Sequence, residues 1–138
     1  TKEFFVIVKS NMYPGGIVVT QGGPAGFGLY SECFTAIVNT MATVFRRVYP
    51  YTTFVPAFTT LWGFSIATNV DVPYLDSVGI NSGTSDVVDD LIQKQVKGSL
   101  SYYDGMTHNH MFSLPKYLRH GIRQETRIAT DQNPVFMT

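Results

Sequence analysis

The chain has 138 residues, room for one modest domain, since a chain of this size buries roughly 65–70% of the surface it exposes when unfolded. Ten basic and ten acidic side chains cancel, and no run of Lys or Arg exceeds the pair Arg46-Arg47, so there is no electrostatic footprint for nucleic acid or an anionic membrane surface. Apolar residues at 44% and aromatics at 14% exclude disordered and collagen-like classes, and no apolar run is long enough to span a bilayer.

The first predicted element is a helix. Phe4, Phe5, Ile7, Val8 and Met12 make a broad apolar face opposite Lys2, Glu3, Lys9 and Ser10, and Pro14-Gly15-Gly16 stops it. The pattern is already helical at Thr1, which raises the expectation that an upstream segment has been removed or sits on another chain. Residues 17–21 are a β-branched, almost wholly apolar run bounded by glycines, predicting a buried, central parallel strand covered on both faces. After the turn 22–28, Tyr30, Cys33, Phe34, Ile37, Val38, Met41, Phe45 and Val48 recur three and four apart, predicting an amphipathic helix of about five turns. The single cysteine, Cys33, reads as a small buried hydrophobe within it, unable to form an internal disulfide, which fits a reducing, cytoplasmic setting.

Tyr49-Pro50 breaks that helix, and 51–55 and 62–68 are strand-like runs joined by 56–61, read as an antiparallel pair. After a loop through Pro73 and Gly79, Ser85 can cap a helix with Asp86 and Asp89 in its first turn and Lys94 and Lys97 in its last, before Gly98 ends it. Val87, Val88, Leu91, Ile92 and Val96 would face its core. The tail reads as a short run at 100–103, an Asp104-Gly105 turn, a brief helix from Pro115 through His120 and an extended piece at 127–137. Helix, parallel strand, helix and a terminal antiparallel pair form the C-terminal half of a methyltransferase-like, Rossmann-type α/β sheet, in which the last strand runs against the others. The opening half is missing: no Gly-rich turn after a strand is followed by an acidic residue about 20 positions on.

Four motifs make this pattern specific. Gly15-Gly16-Ile17-Val18-Val19-Thr20-Gln21-Gly22-Gly23-Pro24, Val55-Pro56-Ala57-Phe58 through Trp62-Gly63-Phe64, Tyr103-Asp104-Gly105, and Met111-Phe112-Ser113-Leu114-Pro115-Lys116-Tyr117-Leu118-Arg119 stand in the order seen in spermidine and related polyamine synthases. The chain therefore resembles the C-terminal part of a polyamine aminopropyltransferase of the spermidine synthase family. The resemblance implies attack by an amine nitrogen of putrescine or a longer polyamine on the propyl carbon beside the sulfonium of decarboxylated S-adenosylmethionine, releasing methylthioadenosine. Decarboxylated S-adenosylmethionine is a co-substrate, and no cofactor or metal is implied. Such a displacement needs a deprotonated amine, in-line alignment and aromatic or negative walls around cations.

By the same resemblance the general base is an Asp just upstream of Thr1, so no catalytic residue is expected within 1–138. This stretch would be the C-terminal part of the catalytic domain, lacking the N-terminal β-domain and the nucleotide-binding half, and inactive alone. The expected partners are a polyamine, a companion chain carrying the N-terminal half, and further subunits in a homo- or hetero-oligomer.

Three substrate-binding candidates follow. Gln21 matches a substrate-binding glutamine of the family. It ends a strand where ligands bind in open α/β sheets, so its carboxamide can orient the amine, or else simply be satisfied by backbone. Phe58 stands where the family usually carries a substrate-contacting Tyr, keeping the ring and losing the hydroxyl. Trp62 falls where many members place an aromatic wall along the polyamine methylenes, with plain core packing as its alternative. Asp71 and Asp76 read as solvated loop carboxylates, and His108-Asn109-His110, without a third ligand at sensible spacing, as surface histidines. Two other readings stay open: a non-catalytic structural or assembly subunit, at which Phe58 hints, and a methyltransferase relative, against which the 58–64 segment and the tail argue.

Overall fold

A computed structural model describes residues 1–28, 30–76 and 83–136, and the chain divides into two compact units, Thr1–Val70 with Leu114–Thr138, and Asp71–Ser113. In the first, helix α1 (Lys2–Ser10) starts at Thr1, whose hydroxyl accepts from the Phe4 amide at 3.5 Å. Of its predicted apolar face, Phe5 is buried with Val8 and Met12 packed beside it, whereas Phe4 and Ile7 are exposed.

Strands β1 (Ile17–Pro24), β2 (Arg47–Val55) and β3 (Thr60–Thr68) form one sheet in the order β1-β3-β2, with β3 antiparallel to both neighbours. Strands β1 and β2 thus run parallel, joined by a crossover through α2 (Glu32–Ala42), and β3 returns between them. The expected antiparallel β2/β3 pair and the counter-running last strand are both present. The expectation for β1 needs correcting: it lies at the edge of the described sheet, and Ile17 and Val19 are 61% and 51% exposed while Val18 and Thr20 are half-buried. A continuous apolar run says that a strand has two apolar faces, but not which strand pairs with it.

The predicted five-turn helix is also corrected, because α2 ends at Ala42. Phe45 reaches the same core from the connection beyond, Val48 reaches it from β2, and Tyr30 is exposed. Side chains arriving from a loop and a strand happened to continue the helical spacing. Pro50 lies inside β2 rather than ending a helix, a position that an edge strand tolerates.

Val18, Ala67 and Val48 share one row of the register and pack with Phe5, Met41, Val44 and Phe45. A second cluster of Ala25, Phe34, Val38, Leu114 and Leu118 joins α2 to α6 (Lys116–Gln124), which is longer than the brief helix expected. The piece predicted to be extended beyond α6 runs as a strap. Glu125 accepts from Thr35 Oγ1 at 2.6 Å, the Arg127 carbonyl from Asn39 Nδ2 at 2.8 Å and the Ala129 carbonyl from the Lys2 amide at 2.8 Å; the Ala129 amide donates to Thr40 Oγ1 at 2.9 Å. It therefore binds α2 to the start of α1.

The second unit holds α3 (Pro73–Asp76), α4 (Thr84–Gln95) and α5 (Gly105–Phe112). Gly83 rather than Ser85 occupies the N-cap of α4, because Ser85 lies inside the helix, where its Oγ accepts from Asn109 Nδ2 at 2.6 Å. Val88 is buried, but Val87 and Val96 are exposed, which removes them from the predicted core. The Asp104-Gly105 pair is the start of α5 and not a turn: the Asp104 carboxylate accepts from the Thr107 amide at 2.7 Å. Gly79 and Met137 lie outside the described residues. No helix among the described residues is long and apolar enough to cross a membrane.

Candidate functional site

Gln21 sits near the end of β1 at a β-bulge, where pairing steps from Gln21 opposite Phe64 to Gly23 opposite Gly63 and leaves Gly22 unpaired. Bulges of this kind re-aim the neighbouring side chain. Phe58 comes from the β2–β3 connection. Pro56–Phe58 form one 3-10 turn, and Thr59 (φ 53, ψ 20) reverses the chain into β3. A left-handed, β-branched residue costs on the order of 1–3 kcal/mol. It is held there by the closing pair Val55–Thr60 and by its own hydroxyl on the Phe58 carbonyl at 2.8 Å.

These elements bring all three predicted residues together. The Phe58 and Trp62 rings lie 4.1 Å apart between centroids at 34°, and Trp62 Nε1–H donates to Gln21 Oε1 at 3.2 Å. Gln21 and Phe58 are exposed and Trp62 is half-buried, so the cluster faces outward and is not a closed part of the core. Gln21, Trp62 and Phe64 fall on the same face by register, opposite the row of Val18 and Ala67. Tyr51, the register partner of Phe64, stacks on it at 5.3 Å and 16°. Burial pushes the Tyr51 phenol above its usual pKa. Sequence reasoning passed over Tyr51 and Phe64; the signal was the two-residue alternation from Trp62 to Phe64. The face offers an amide dipole and π surfaces, suited to an amine and its methylenes, and none of Gln21, Phe58 and Trp62 can serve as a base near neutrality.

The acidic and histidine candidates belong to the second compact unit. Asp71 and Asp76 are exposed. His110 is exposed, but His108 is 2% exposed, which corrects its reading as a surface residue. Its Nδ1 meets the Tyr103 hydroxyl at 2.6 Å and its Nε2 meets the Tyr74 carbonyl at 3.3 Å. The carbonyl can only accept, so Nε2 carries the hydrogen there, and in the neutral ring that burial favours Nδ1 accepts from the phenol. Burial lowers its pKa, against the pull of the Tyr74 carbonyl. Among the described residues no three or more of His, Cys, Asp and Glu gather as they would around a metal ion. Cys33 is half-buried, its thiol 3.8 Å from the Val135 carbonyl. Burial first, and then Glu32, raise its pKa against the opposing charge of Arg127, which disfavours the thiolate.

No family model matches the chain. Its sequence is 41% identical over 98% of its length to a polyamine aminopropyltransferase of Sulfolobus acidocaldarius, 42% of which it covers. It is 33% identical over 99% of its length to a thermospermine synthase of Arabidopsis thaliana, 38% of which it covers. Among solved structures, spermidine synthase from Thermotoga maritima superposes with a TM-score of 0.68 over 91% of this chain and 40% of that one, at 17% identity. A spermidine synthase in complex with the transition-state analogue AdoDATO gives 0.67 over 91% and 39%. The resemblance to polyamine aminopropyltransferases and the methyltransferase-like α/β fold are thus borne out. The chain spans about two fifths of the length of the relatives it matches.

Proposed function

We propose that this chain is the C-terminal portion of a polyamine aminopropyltransferase and supplies one wall of its amine pocket. In the complete enzyme the aminopropyl group of decarboxylated S-adenosylmethionine passes to putrescine or a longer polyamine: a C–N bond forms as the C–S bond breaks, methylthioadenosine leaves, and the amine gives up a proton. The observation that carries this reading is the convergence of Gln21 from β1 with Phe58 and Trp62 from the turn and strand that follow β2. Gln21 would orient the amine, and the two rings would line its methylenes.

The proton acceptor and the nucleoside site belong, on this reading, to a preceding segment, in the same polypeptide or on a companion chain. The half-exposed edge strand β1, with Ile17 and Val19, and the exposed Phe4 and Ile7 of α1 are surface that further backbone of that domain would cover.

Transfer of labelled aminopropyl from decarboxylated S-adenosylmethionine to an amine, assayed with the preceding segment present, tests the reading. Turnover is expected, with kcat/KM for the amine falling about tenfold or more in Gln21→Ala at an unchanged unfolding midpoint. Full activity in that variant would remove Gln21 from the site. A complete assembly without transfer would favour the non-catalytic scaffold that the missing Phe58 hydroxyl hints at.

A further inference from the structure

A carboxamide has two nearly isosteric ends of opposite polarity, and which end faces a ligand decides whether it accepts or donates. At Gln21 that choice is made by Trp62. The indole N–H can only donate, and it reaches Gln21 Oε1 at 3.2 Å, so the oxygen must turn toward the ring. Phe58, against the same indole at 4.1 Å, carries no hydroxyl and has no hydrogen bond to offer the amide. The oxygen keeps a second lone pair beside the aromatic wall.

Resting on the amine-site reading above, we propose that Trp62 is a positioning residue that fixes the polarity of Gln21. The fixed oxygen accepts an N–H of the polyamine and leaves the nitrogen lone pair free to attack. The opposite rotamer would direct the Nε2 hydrogens at that lone pair and tie up the nucleophile. Trp62 would then act through its N–H and not only through its area, and specificity at this subsite would be for a nitrogen that still carries hydrogen. A tertiary amine lacks that hydrogen in its neutral, nucleophilic form and would be rejected.

A double-mutant cycle in the complete enzyme tests this. Trp62→Phe keeps an aromatic wall and removes the N–H; kcat/KM for the amine should fall about two- to tenfold, with the KM for the nucleoside co-substrate unchanged. In a Gln21→Glu background, where either end of the side chain is an oxygen, the same Trp62→Phe change should alter kcat/KM by less than about twofold. Independently of turnover, the indole N–H resonance that Trp62→Phe removes should shift in Gln21→Leu.

An indole resonance unmoved by Gln21→Leu would overturn the Gln21–Trp62 bond and the proposal with it. If the resonance shifts and the amine is turned over, but Trp62→Phe costs the same with Gln21 and with Glu at that position, the positioning role alone fails. If the resonance shifts but no amine alters activity or binding in any variant, the amine-site reading fails first and takes the proposal with it.

Discussion

Gly63 has no room for a side chain. A Cβ there would lie 2.5 Å from Phe34 Cδ2 and 2.6 Å from its Cγ, and one on Gly22 would lie 2.4 Å from the same ring. The two glycines, on adjacent strands, form a slot into which the fully buried Phe34 lies. Gly63→Ala should therefore lower unfolding free energy by about 1–3 kcal/mol, read from the urea midpoint, and Phe34→Leu in the same chain should recover part of that loss. At this scale the candidate site was legible, because Gln21, Phe58 and Trp62 each stand in a short motif. The Gln21–Trp62 hydrogen bond was not: 41 residues separate the partners, and only the register of β1 against β3 makes them neighbours. His108 was misread for a related reason, since its burial depends on Tyr74 and Tyr103, which no spacing rule ties to it.

Among the elements, those with a strong period were read correctly in kind and poorly in extent. The β2/β3 hairpin followed from two strand-like runs about a proline-led connection, yet β2 begins at Arg47, ahead of Pro50, because edge position and not propensity decides whether a proline is tolerated. Helix α5 was missed because Asp-Gly is both a strong hairpin-turn signal and a good N-cap with its first helical residue. What settles it is the Thr107 amide on the Asp104 carboxylate, which holds that carboxyl below its usual pKa. Asp104→Asn should keep α5 intact, whereas Asp104→Ala should speed hydrogen exchange at the Thr107 amide by roughly severalfold, with α4 amides far from the contact unchanged.

Across the first unit, the strap that follows α6 is fastened at Glu125. The Arg127 side chain, then Thr35 and the Arg127 amide, hold its carboxyl down to about 2 from an ordinary 4.5, against the opposing effect of burial. Because the unfolded chain binds this proton more readily, the contribution to stability is complete above about pH 4.5 and is lost as pH falls through about 2. Thermal midpoints between pH 5 and pH 2 should thus fall more steeply in the parent chain than in Glu125→Gln, which has already given up the ion pair with Arg127. An identical slope in both would remove Glu125 as the fastening. The sequence showed an extended piece here but not what fastens it, because its bonds run from backbone to the polar side chains of α2 and leave no apolar rhythm behind.

The place of β3 in the sheet also bears on synthesis at the ribosome. Among the described residues strand β2 has its ladder only with a segment made after it. A nascent chain paused before Thr60 carries Arg47–Val55 without that hydrogen-bond partner, and the Gln21–Trp62 pair cannot exist until β3 has emerged.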